Sequence, residues 1–368
     1  MKRISFTLVL IIVAGWAVIV PKSYPCTAIC LKDAAGWVAG FNHDWMLKDA
    51  LIMTNKRGVS KIAAPTDEKS PKGPLARWTS KYGSVTFNQY GREFPSDGMN
   101  EKGLFVAILL LENSKWPASD SRASIRVSQW VQYQLDNSSN VQEVIDNDKL
   151  IGIVGSSPGE PFNASAYHFF TCDRNGDCVT VEGINGKIVY HSKMNMPVKA
   201  LSNTPYADSL NALNRGKPIY GNAYHSETRF ILASQRLKEA DANAPKSATN
   251  YAFETLKKVA SDDALGPSVW SVIYDLTNLR VSFRTHDNLQ VRWYYLSAFD
   301  FSCSSPARVF DILSEHTRDV SGHFVPYSRQ ANKALIKKMW AHTPGLAGFT
   351  EEALERAAAY PDSCVCLE

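Results

Sequence analysis

The alternation of apolar and polar positions predicts β-strands in most of the chain and helices in separate blocks. Strands are predicted at 26–31, 37–42, 51–55, 84–89, 104–111, 166–171, 179–182, 187–191, 269–275 and 280–285. Helices are predicted at 128–135, 141–146, 228–240, 252–259, 329–340 and 350–359. Because strands and helices do not alternate, a doubly wound parallel sheet is disfavoured. We expect an α+β protein in which helices cover antiparallel sheets.

The first 25 residues differ from the rest of the chain. A basic start is followed by an apolar run over 4–20 and a polar exit at 21–25, which is typical of an export signal. We therefore expect an exported protein, periplasmic or secreted, with residues 1–25 as leader, 26–368 as a single domain, and no stable membrane span once the leader is removed. The run is also close to the length of a membrane span, so an uncleaved anchor stays open.

The sequence just before Cys26 differs from that of a usual leader cleavage site. Small residues are missing at the usual positions, and Pro25 comes directly before Cys26. A lipid-modified Cys26 is a second alternative, although 23–25 lack the small-residue context that such modification needs. If cleavage does occur there, Cys26 carries both a thiol nucleophile and a free α-amine. The α-amine titrates near neutrality and can accept the thiol proton, so one residue would supply nucleophile and base.

Charge excludes one class of partner. The chain has 40 basic and 36 acidic residues, and three of the basic ones lie in the leader, which leaves 37 against 36. No run of Lys or Arg occurs after the leader, so nucleic acid is not expected as a partner. Paired Cys-x-x-Cys and His-Glu-x-x-His spacings are also missing, so zinc is not expected. No cofactor is expected either. Assembly into a homo-oligomer stays open.

The chain has seven cysteines, and an odd number in an exported protein predicts at least one free thiol. Cys172 and Cys178 bracket a turn sequence between two predicted strands. A three-residue loop with Gly176 in the left-handed conformation would bring the two cysteines opposite each other. A cross-strand disulfide and two reduced, half-buried thiols are both open at this stage.

A hairpin connects Cys26 to a carboxylate. If Leu31 pairs with Trp37 across the turn, Cys26 pairs close to Asn42, and Asp44 lies just past the strand end beside the new N-terminus. Asp44 could then hold the α-ammonium. The alternative is an Asp that caps a turn.

Two other candidate sites are less consistent with a catalytic role. The segment from Gly155 to Gly159 matches the Gly-x-Ser-x-Gly pattern of esterases, but Pro158 follows Ser157 and has no N–H for an oxyanion. We interpret it as a loop. The histidines are scattered, and His43 is interpreted as a surface or turn residue.

Several motifs occur together in one order along the chain. They are Cys26-Thr27, Asn42-x-Asp44-Trp45, Asn55-Lys-Arg-Gly-Val-Ser-Lys61, Asp97-Gly-Met-Asn-Glu-Lys-Gly-Leu104, Leu201-Ser-Asn-Thr-Pro205, Ser226-Glu-Thr-Arg-Phe230 and Trp270-Ser-Val-Ile-Tyr-Asp275. In this order they resemble the choloylglycine hydrolase family, which holds bile salt hydrolases, penicillin V acylases and other linear amide C–N hydrolases. The resemblance covers Cys26 to about Arg284. It implies an amidohydrolase acting on linear amides, with the four-layer αββα fold of N-terminal-nucleophile hydrolases.

The resemblance also implies roles for four residues. Cys26 would be the nucleophile with its own amine as base, and Asp44 would hydrogen-bond at the nucleophile. Asn203 would supply an amide N–H to the oxyanion hole, and Arg229 would lie beside the thiol. Taken alone, Asn203 reads as a turn residue and Arg229 as a first-turn helix residue. Asp97-Gly98 alone reads as a turn.

Two positions depart from the best-known family members. Phe41 stands where bile salt hydrolases and penicillin V acylases have an arginine, and Leu110 stands where bile salt hydrolases have a second asparagine. These departures point away from bile salts and penicillins and toward a small-molecule substrate, either an amide with an apolar acyl group or another linear amide. Ordinary packing is the alternative reading of both residues. A weakly active or inactive binding protein on the same scaffold, and an interaction protein lipidated at Cys26, are the alternative functions.

Overall fold

The computed structural model describes residues 26–64, 73–155, 166–216, 226–261, 266–343, 346 and 348–367. The leader with its cleavage site lies outside the described residues, and so do Ser157 and Pro158 of the esterase-like segment. Within the described ranges, no helix has the length and apolar character needed to cross a membrane.

The order of elements is mostly strand in the first half and mixed in the second. The strands are β1 (Thr27–Asp33), β2 (Gly36–Asp44), β3 (Leu51–Asn55), β4 (Val59–Ile62), β5 (Arg77–Thr79), β6 (Ser84–Asn88), β7 (Asp97–Asn100), β8 (Phe105–Leu110), β9 (Ala123–Arg126), β10 (Ile151–Val154), β11 (Tyr167–Cys172), β12 (Cys178–Ile184), β13 (Lys187–Ser192), β14 (Ala200–Leu201), β15 (Ser268–Asp275), β16 (Arg280–Thr285), β17 (Arg292–Tyr295), β18 (Arg308–Asp311), β19 (Arg318–Asp319), β20 (Val325–Pro326) and β21 (Val365–Cys366). The helices are α1 (Trp130–Asn137), α2 (Val141–Leu150), α3 (Tyr206–Arg215), α4 (Ser226–Ala242), α5 (Ala248–Lys258), α6 (Arg329–His342) and α7 (Glu351–Ala359).

Two large sheets form the centre of the molecule. One has seven strands in the order β14-β1-β2-β15-β16-β17-β19, and the other has nine in the order β13-β12-β11-β8-β7-β6-β3-β18-β20. Their strands pair antiparallel, except for the parallel edge pair β17 and β19. Two small sheets, β10-β9 and β21-β4-β5, lie apart from them.

The layers follow from which faces of the sheets are apolar. Trp270 and Tyr274 of the seven-stranded sheet contact Phe87 of the nine-stranded sheet, and Tyr274 also contacts Phe105, so the two sheets pack face to face. Helices α4 and α5 contact the seven-stranded sheet, and α1 contacts the nine-stranded one. A second core, which includes Trp130, joins α1 to its sheet. The predicted four-layer αββα arrangement of an α+β protein is confirmed.

The predicted register of the first hairpin is wrong by one residue. Leu31 pairs with Val38 rather than with Trp37, and β2 extends through Asp44. Asp44 is therefore the last residue of a strand, rather than a residue beyond its end. Because alternate residues of a strand point to opposite faces, a shift of one position changes which side chains share a face with Cys26.

The length of the turn explains this register. Asp33 is the last residue of β1, and its Oδ1 accepts hydrogen bonds from the N–H groups of Ala35 at 2.8 Å and Gly36 at 3.2 Å. These bonds close a two-residue turn between Asp33 and Gly36, which pair with each other. The positive φ of +140° at Gly36 suits glycine at this position.

Of the two alternatives for Cys172 and Cys178, the structure has the disulfide. The two residues are directly paired across β11 and β12, and Gly176 has the expected left-handed φ of +80°. A second disulfide, Cys303–Cys366, joins residues 63 positions apart and had no signal in the sequence. Free thiols among the described residues are Cys26, Cys30 and Cys364.

Candidate active site

Strand pairing on both sides of β1 gathers the predicted residues around Cys26, which directly precedes β1. On one side, β14 pairs with β1 so that Ala28 lies opposite Leu201, and the same register continued by two residues brings Asn203 beside Cys26. On the other side, the register with β2 brings His43 opposite Cys26, with Asp44 next to it. The sheet order β14-β1-β2 thus brings distant parts of the sequence to one point.

Arg229 connects the residues on the β14 side. It lies in the first turn of α4, which packs on β1, and only 4% of its side chain is exposed. Its guanidinium donates hydrogen bonds to the carbonyl oxygen of Cys26, to Thr27 Oγ1 at 2.6 Å and to Asn203 Oδ1 at 2.8 Å. Arg229 therefore fixes the backbone of Cys26 and the orientation of the Asn203 amide at the same time.

Two N–H donors point into the site from Asn203 and β8. Asn203 Nδ2 donates to the Leu110 carbonyl at 2.8 Å, which leaves its second N–H for a substrate oxygen. The backbone N–H of Leu110 faces the Cys26 sulfur closely enough to lower the pKa of the thiol. This N–H is available because the pairing of β8 with β7 ends at Ala107. A side-chain amide and a backbone N–H next to a nucleophile are the components of an oxyanion hole.

The thiol of Cys26 is buried, with 5% exposure. Burial, and next the negative charge of Asp44, raises the pKa of Cys26 to about 12. Hydrogen bonds from the backbone N–H groups of Asp44 and Leu110 and the charge of Arg229 act in the opposite direction. In this environment the thiol keeps its proton at neutral pH, so nucleophilic attack needs a base next to it.

Asp44 is fully buried beside Cys26. Burial raises the pKa of its carboxyl to about 7, against the charge of Arg229 and the nearby Ser268 hydroxyl. That hydroxyl is close enough to affect the pKa, yet neither carboxylate oxygen has a hydrogen-bond partner in good geometry among the described residues. A buried carboxylate without partners is costly, and a cationic donor placed next to it would be stabilised.

The interpretation of His43 as a surface or turn residue is wrong. His43 belongs to β2 and is 8% exposed. Its Nε2 lies 3.0 Å from Gln89 Oε1, and its ring stacks on Trp270 at a centroid distance of 4.1 Å. Burial lowers the pKa of His43 to about 4, so the ring is neutral at pH 7. A single histidine inside an apolar strand indicates burial, but its neighbours come from other strands and leave no local signal.

A cavity of about 800 Å³ opens from Cys26. Asp44 and His43 line it near the thiol, together with Leu110 and Tyr167, which are paired across β8 and β11. Most of the remaining lining is apolar and includes Ile62, Leu75, Ile108, Trp340, Leu346, Phe349, Ala353 and Ala357. The volume and apolar character are those of a small-molecule binding site.

The two departures from the family pattern have different positions. Phe41 is fully buried in the core between the sheets, and it is not part of the cavity lining. Its packing accounts for it without a role in substrate binding. Leu110 does line the cavity, but the group that reaches Cys26 is its backbone N–H. Sequence reasoning missed this donor, because any residue type supplies a backbone N–H.

One group of potential metal ligands occurs among the described residues. The sulfur atoms of Cys30, Cys172 and Cys178 lie within 4.8 Å of one another. Two of the three are joined as a disulfide, so they do not form a set of thiolate ligands.

Comparison with known proteins adds to this geometry. The model of the linear amide C–N hydrolases, choloylglycine hydrolase family, matches residues 26–238. Penicillin V acylase from Pectobacterium atrosepticum is 31% identical over 291 residues, which cover 68% of this chain and 77% of that protein. The match to the family model begins at Cys26 and includes Asn203 and Arg229.

Solved structures show the same fold. Penicillin V acylase from Agrobacterium tumefaciens superposes with a TM-score of 0.68 at 21% identity, over 82% of this chain and 98% of that one. A variant of the conjugated bile acid hydrolase from Clostridium perfringens gives a TM-score of 0.65 at 17% identity, over 80% of this chain and 98% of that one. The chain thus belongs to the choloylglycine hydrolase family and is an amidohydrolase that acts on linear amide C–N bonds.

Proposed function

We propose that removal of residues 1–25 exposes Cys26 as an N-terminal nucleophile and that the processed enzyme hydrolyses amides through a thioester. The proposal includes export of the chain to an oxidising compartment. The disulfides Cys172–Cys178 and Cys303–Cys366 support that location, because structural disulfides are rare in the cytosol.

The observation that carries the proposal is the buried carboxylate of Asp44. It lies beside Cys26, has no hydrogen-bond partner in good geometry among the described residues, and has a raised pKa. Cleavage before Cys26 would create an α-ammonium next to it. That group is the cationic donor which the carboxylate lacks, so Asp44 would orient the amine that serves as base.

The reaction then follows from the positions of the groups. The α-amine of Cys26 takes the thiol proton, and the sulfur attacks the amide carbon to form a C–S bond. The oxyanion that develops accepts hydrogen bonds from Asn203 Nδ2 and the Leu110 backbone N–H. The α-ammonium returns the proton to the leaving nitrogen as the C–N bond breaks. Water, deprotonated by the same amine, attacks the thioester and releases a carboxylic acid and the free thiol.

The substrate class follows from the lining of the cavity. An apolar acyl group is the part of an amide that the lining next to Cys26 can accept, because Ile108, Leu110 and Tyr167 offer mainly apolar surface there. The leaving amine would face the solvent side. Phenoxyacetyl amides are suitable first probes, because a penicillin V acylase is among the relatives.

Replacement of Cys26 tests the proposal. We expect Cys26→Ala to lower kcat by roughly three orders of magnitude or more, since the covalent step is lost. The parent should form an acyl adduct at Cys26, detected as added mass on the intact protein, and its N-terminus should be Cys26 by sequencing. Cys30→Ala, which removes the buried free thiol of β1, is the matched control and should retain turnover. Full activity of Cys26→Ala, or an active protein that begins at Met1, would refute the mechanism.

A further inference from the structure

The last two helices form a unit outside the two large sheets. Helices α6 and α7 pack against each other through Ile336, Leu354 and Ala358, with Trp340 at the edge of this cluster. Ion pairs join their outer faces, for example Lys333 with Glu355 at 2.6 Å. We call the side of this pair that faces the cavity the helical wall, formed by Trp340, Leu346, Phe349, Ala353 and Ala357.

The helical wall closes the cavity with apolar surface. It is part of the same cavity as Cys26, but its residues belong to a separate segment about 300 positions later in the chain. Trp340 and Phe349 pack together with ring centroids 4.8 Å apart. Helix α7 contributes one charged residue, Arg356, to the described lining of the cavity. Arg356 is exposed and is paired with Glu352 at 2.7 Å. The wall therefore offers contacts to hydrocarbon groups and few polar groups that could stabilise a charged acyl group.

Several connections hold the helical wall against the rest of the molecule. The Tyr360 hydroxyl donates to the Ile62 carbonyl at 2.6 Å, and the Tyr90 and Thr343 hydroxyls lie 2.9 Å apart. Asn332 Oδ1 accepts the Arg92 N–H at 3.0 Å. Strand β21 pairs with β4 just after the helices. Because Ile62 itself lines the cavity, the wall is attached to the opposing lining and has a fixed position relative to it.

This wall lies beyond the part of the chain that matches the family. The family match ends at residue 238, and α6 begins at Arg329. The acyl side of the cavity therefore contains a surface that the family match does not specify.

We propose that the helical wall sets the length of the aliphatic acyl chain that the enzyme accepts. This inference rests on the proposed function. The acyl chain runs from the thioester carbon at Cys26 through the apolar cavity and ends against Trp340 and Phe349. The volume of about 800 Å³ is large for a short or single-ring acyl group and suits an extended hydrocarbon chain. Each methylene buried adds about 0.8 kcal/mol, which is roughly a fourfold gain in kcat/KM.

A series of amides tests the inference. The probes are amides of one amine with unbranched acyl groups from butanoyl to tetradecanoyl, each kept below its micelle concentration. For the parent, kcat/KM should rise with chain length and then fall at the length where the chain end meets the helical wall. In Trp340→Ala, space opens at that end, so the maximum should move to acyl groups longer by about two carbons or more. The ratio of kcat/KM between long and short acyl groups is the readout.

The control and the second variant keep the result decisive. Lys337→Ala changes an exposed residue of α6 outside the lining, and its length profile should match that of the parent. If Trp340→Ala does not fold, Phe349→Ala, a 45% exposed residue of the same wall, takes its place and should shift the maximum in the same direction. An unchanged maximum in the folded variant, or an equal loss at every chain length, would overturn the inference. If the parent hydrolyses none of these amides and forms no adduct at Cys26, the proposed function is refuted as well.

Discussion

The two ends of the substrate path are built in different ways. The cluster of Cys26, Asp44, Asn203 and Arg229 is formed where paired strands begin and end, and Arg229 alone bonds to three neighbouring residues there. The helical wall is apolar and belongs to a segment attached from outside the sheets by a few hydrogen bonds, one short strand pair and a disulfide. If both proposals hold, the chemistry depends on residues within the family match, while the selectivity for the acyl group depends on a segment beyond residue 238.

The largest expected effect is on the Cys26 cluster. Asn203→Ala removes the amide N–H proposed for the oxyanion hole, and loss of one such donor costs roughly 100- to 1,000-fold in kcat. KM should change little, because the donor acts on charge that develops only after attack. Steady-state kinetics on a phenoxyacetyl amide measures both. Asn278→Ala, in an exposed turn, is the control. A rise in KM at unchanged kcat would assign Asn203 to ground-state binding.

The second prediction concerns whether Asp44→Asn raises or lowers the free energy of unfolding. In a chain that keeps several residues before Cys26, the nitrogen of Cys26 is an uncharged amide. This parent should lose stability between about pH 4 and pH 7, because the folded state keeps a proton at Asp44 that the unfolded state releases. Asp44→Asn has no such proton. At pH 8 it should therefore exceed the parent by up to about 4 kcal/mol in the free energy of unfolding.

In a chain that begins at Cys26, the same substitution should destabilise the protein, because it breaks the pair between the carboxylate and the α-ammonium. Urea unfolding of both chain forms at pH 5 and pH 8, in a Cys26→Ser background that prevents oxidation, measures the difference. If Asp44→Asn changes the free energy of unfolding in the same direction in both chain forms, Asp44 does not pair with the α-amine. The mechanism would then lose the observation on which it rests.

The third prediction tests the attachment of the helical wall. Cys366→Ser opens a link between residues 63 positions apart, and loss of such a link costs roughly 2–4 kcal/mol in the free energy of unfolding. Activity on long acyl amides should fall more than activity on short ones, because the wall loses its covalent attachment. Cys364→Ser, at a free thiol two positions earlier, should cost no more than about 1 kcal/mol. Equal losses on long and short substrates would mean that the disulfide does not act through the wall.

The long elements were predictable from periodicity, and the short ones were not. Asp97-Gly98 read as a turn, but it begins β7, whose four residues are all buried. The reason is non-local: the Asp97 carboxylate accepts a hydrogen bond from the hydroxyl of Tyr274, 177 residues later. Helix α3 was missed as well, as were the short strands β17 to β21. Such segments depend on partners that a local pattern does not reveal.

The site could be predicted only in part from physical reasoning on the sequence. Cys26 and Asp44 are connected by one hairpin, although the register was off by one residue because the turn length was not known. Asn203 and Arg229 came from the family resemblance alone, since Arg229 contacts Cys26 across 203 positions of sequence. The helices of the wall were predicted, but their place at the cavity depends on contacts between distant segments.

The position of β1 has a consequence for the processed chain. The first residues of a protein usually fray, because few contacts order them. Here the residues that follow Cys26 pair with β2 on one side and with β14 on the other. A terminus created at Cys26 would therefore be as rigid as an interior strand. The loss of conformational entropy on ordering Cys26 and its amine would then occur once, during folding. It would not have to be repeated at each turnover.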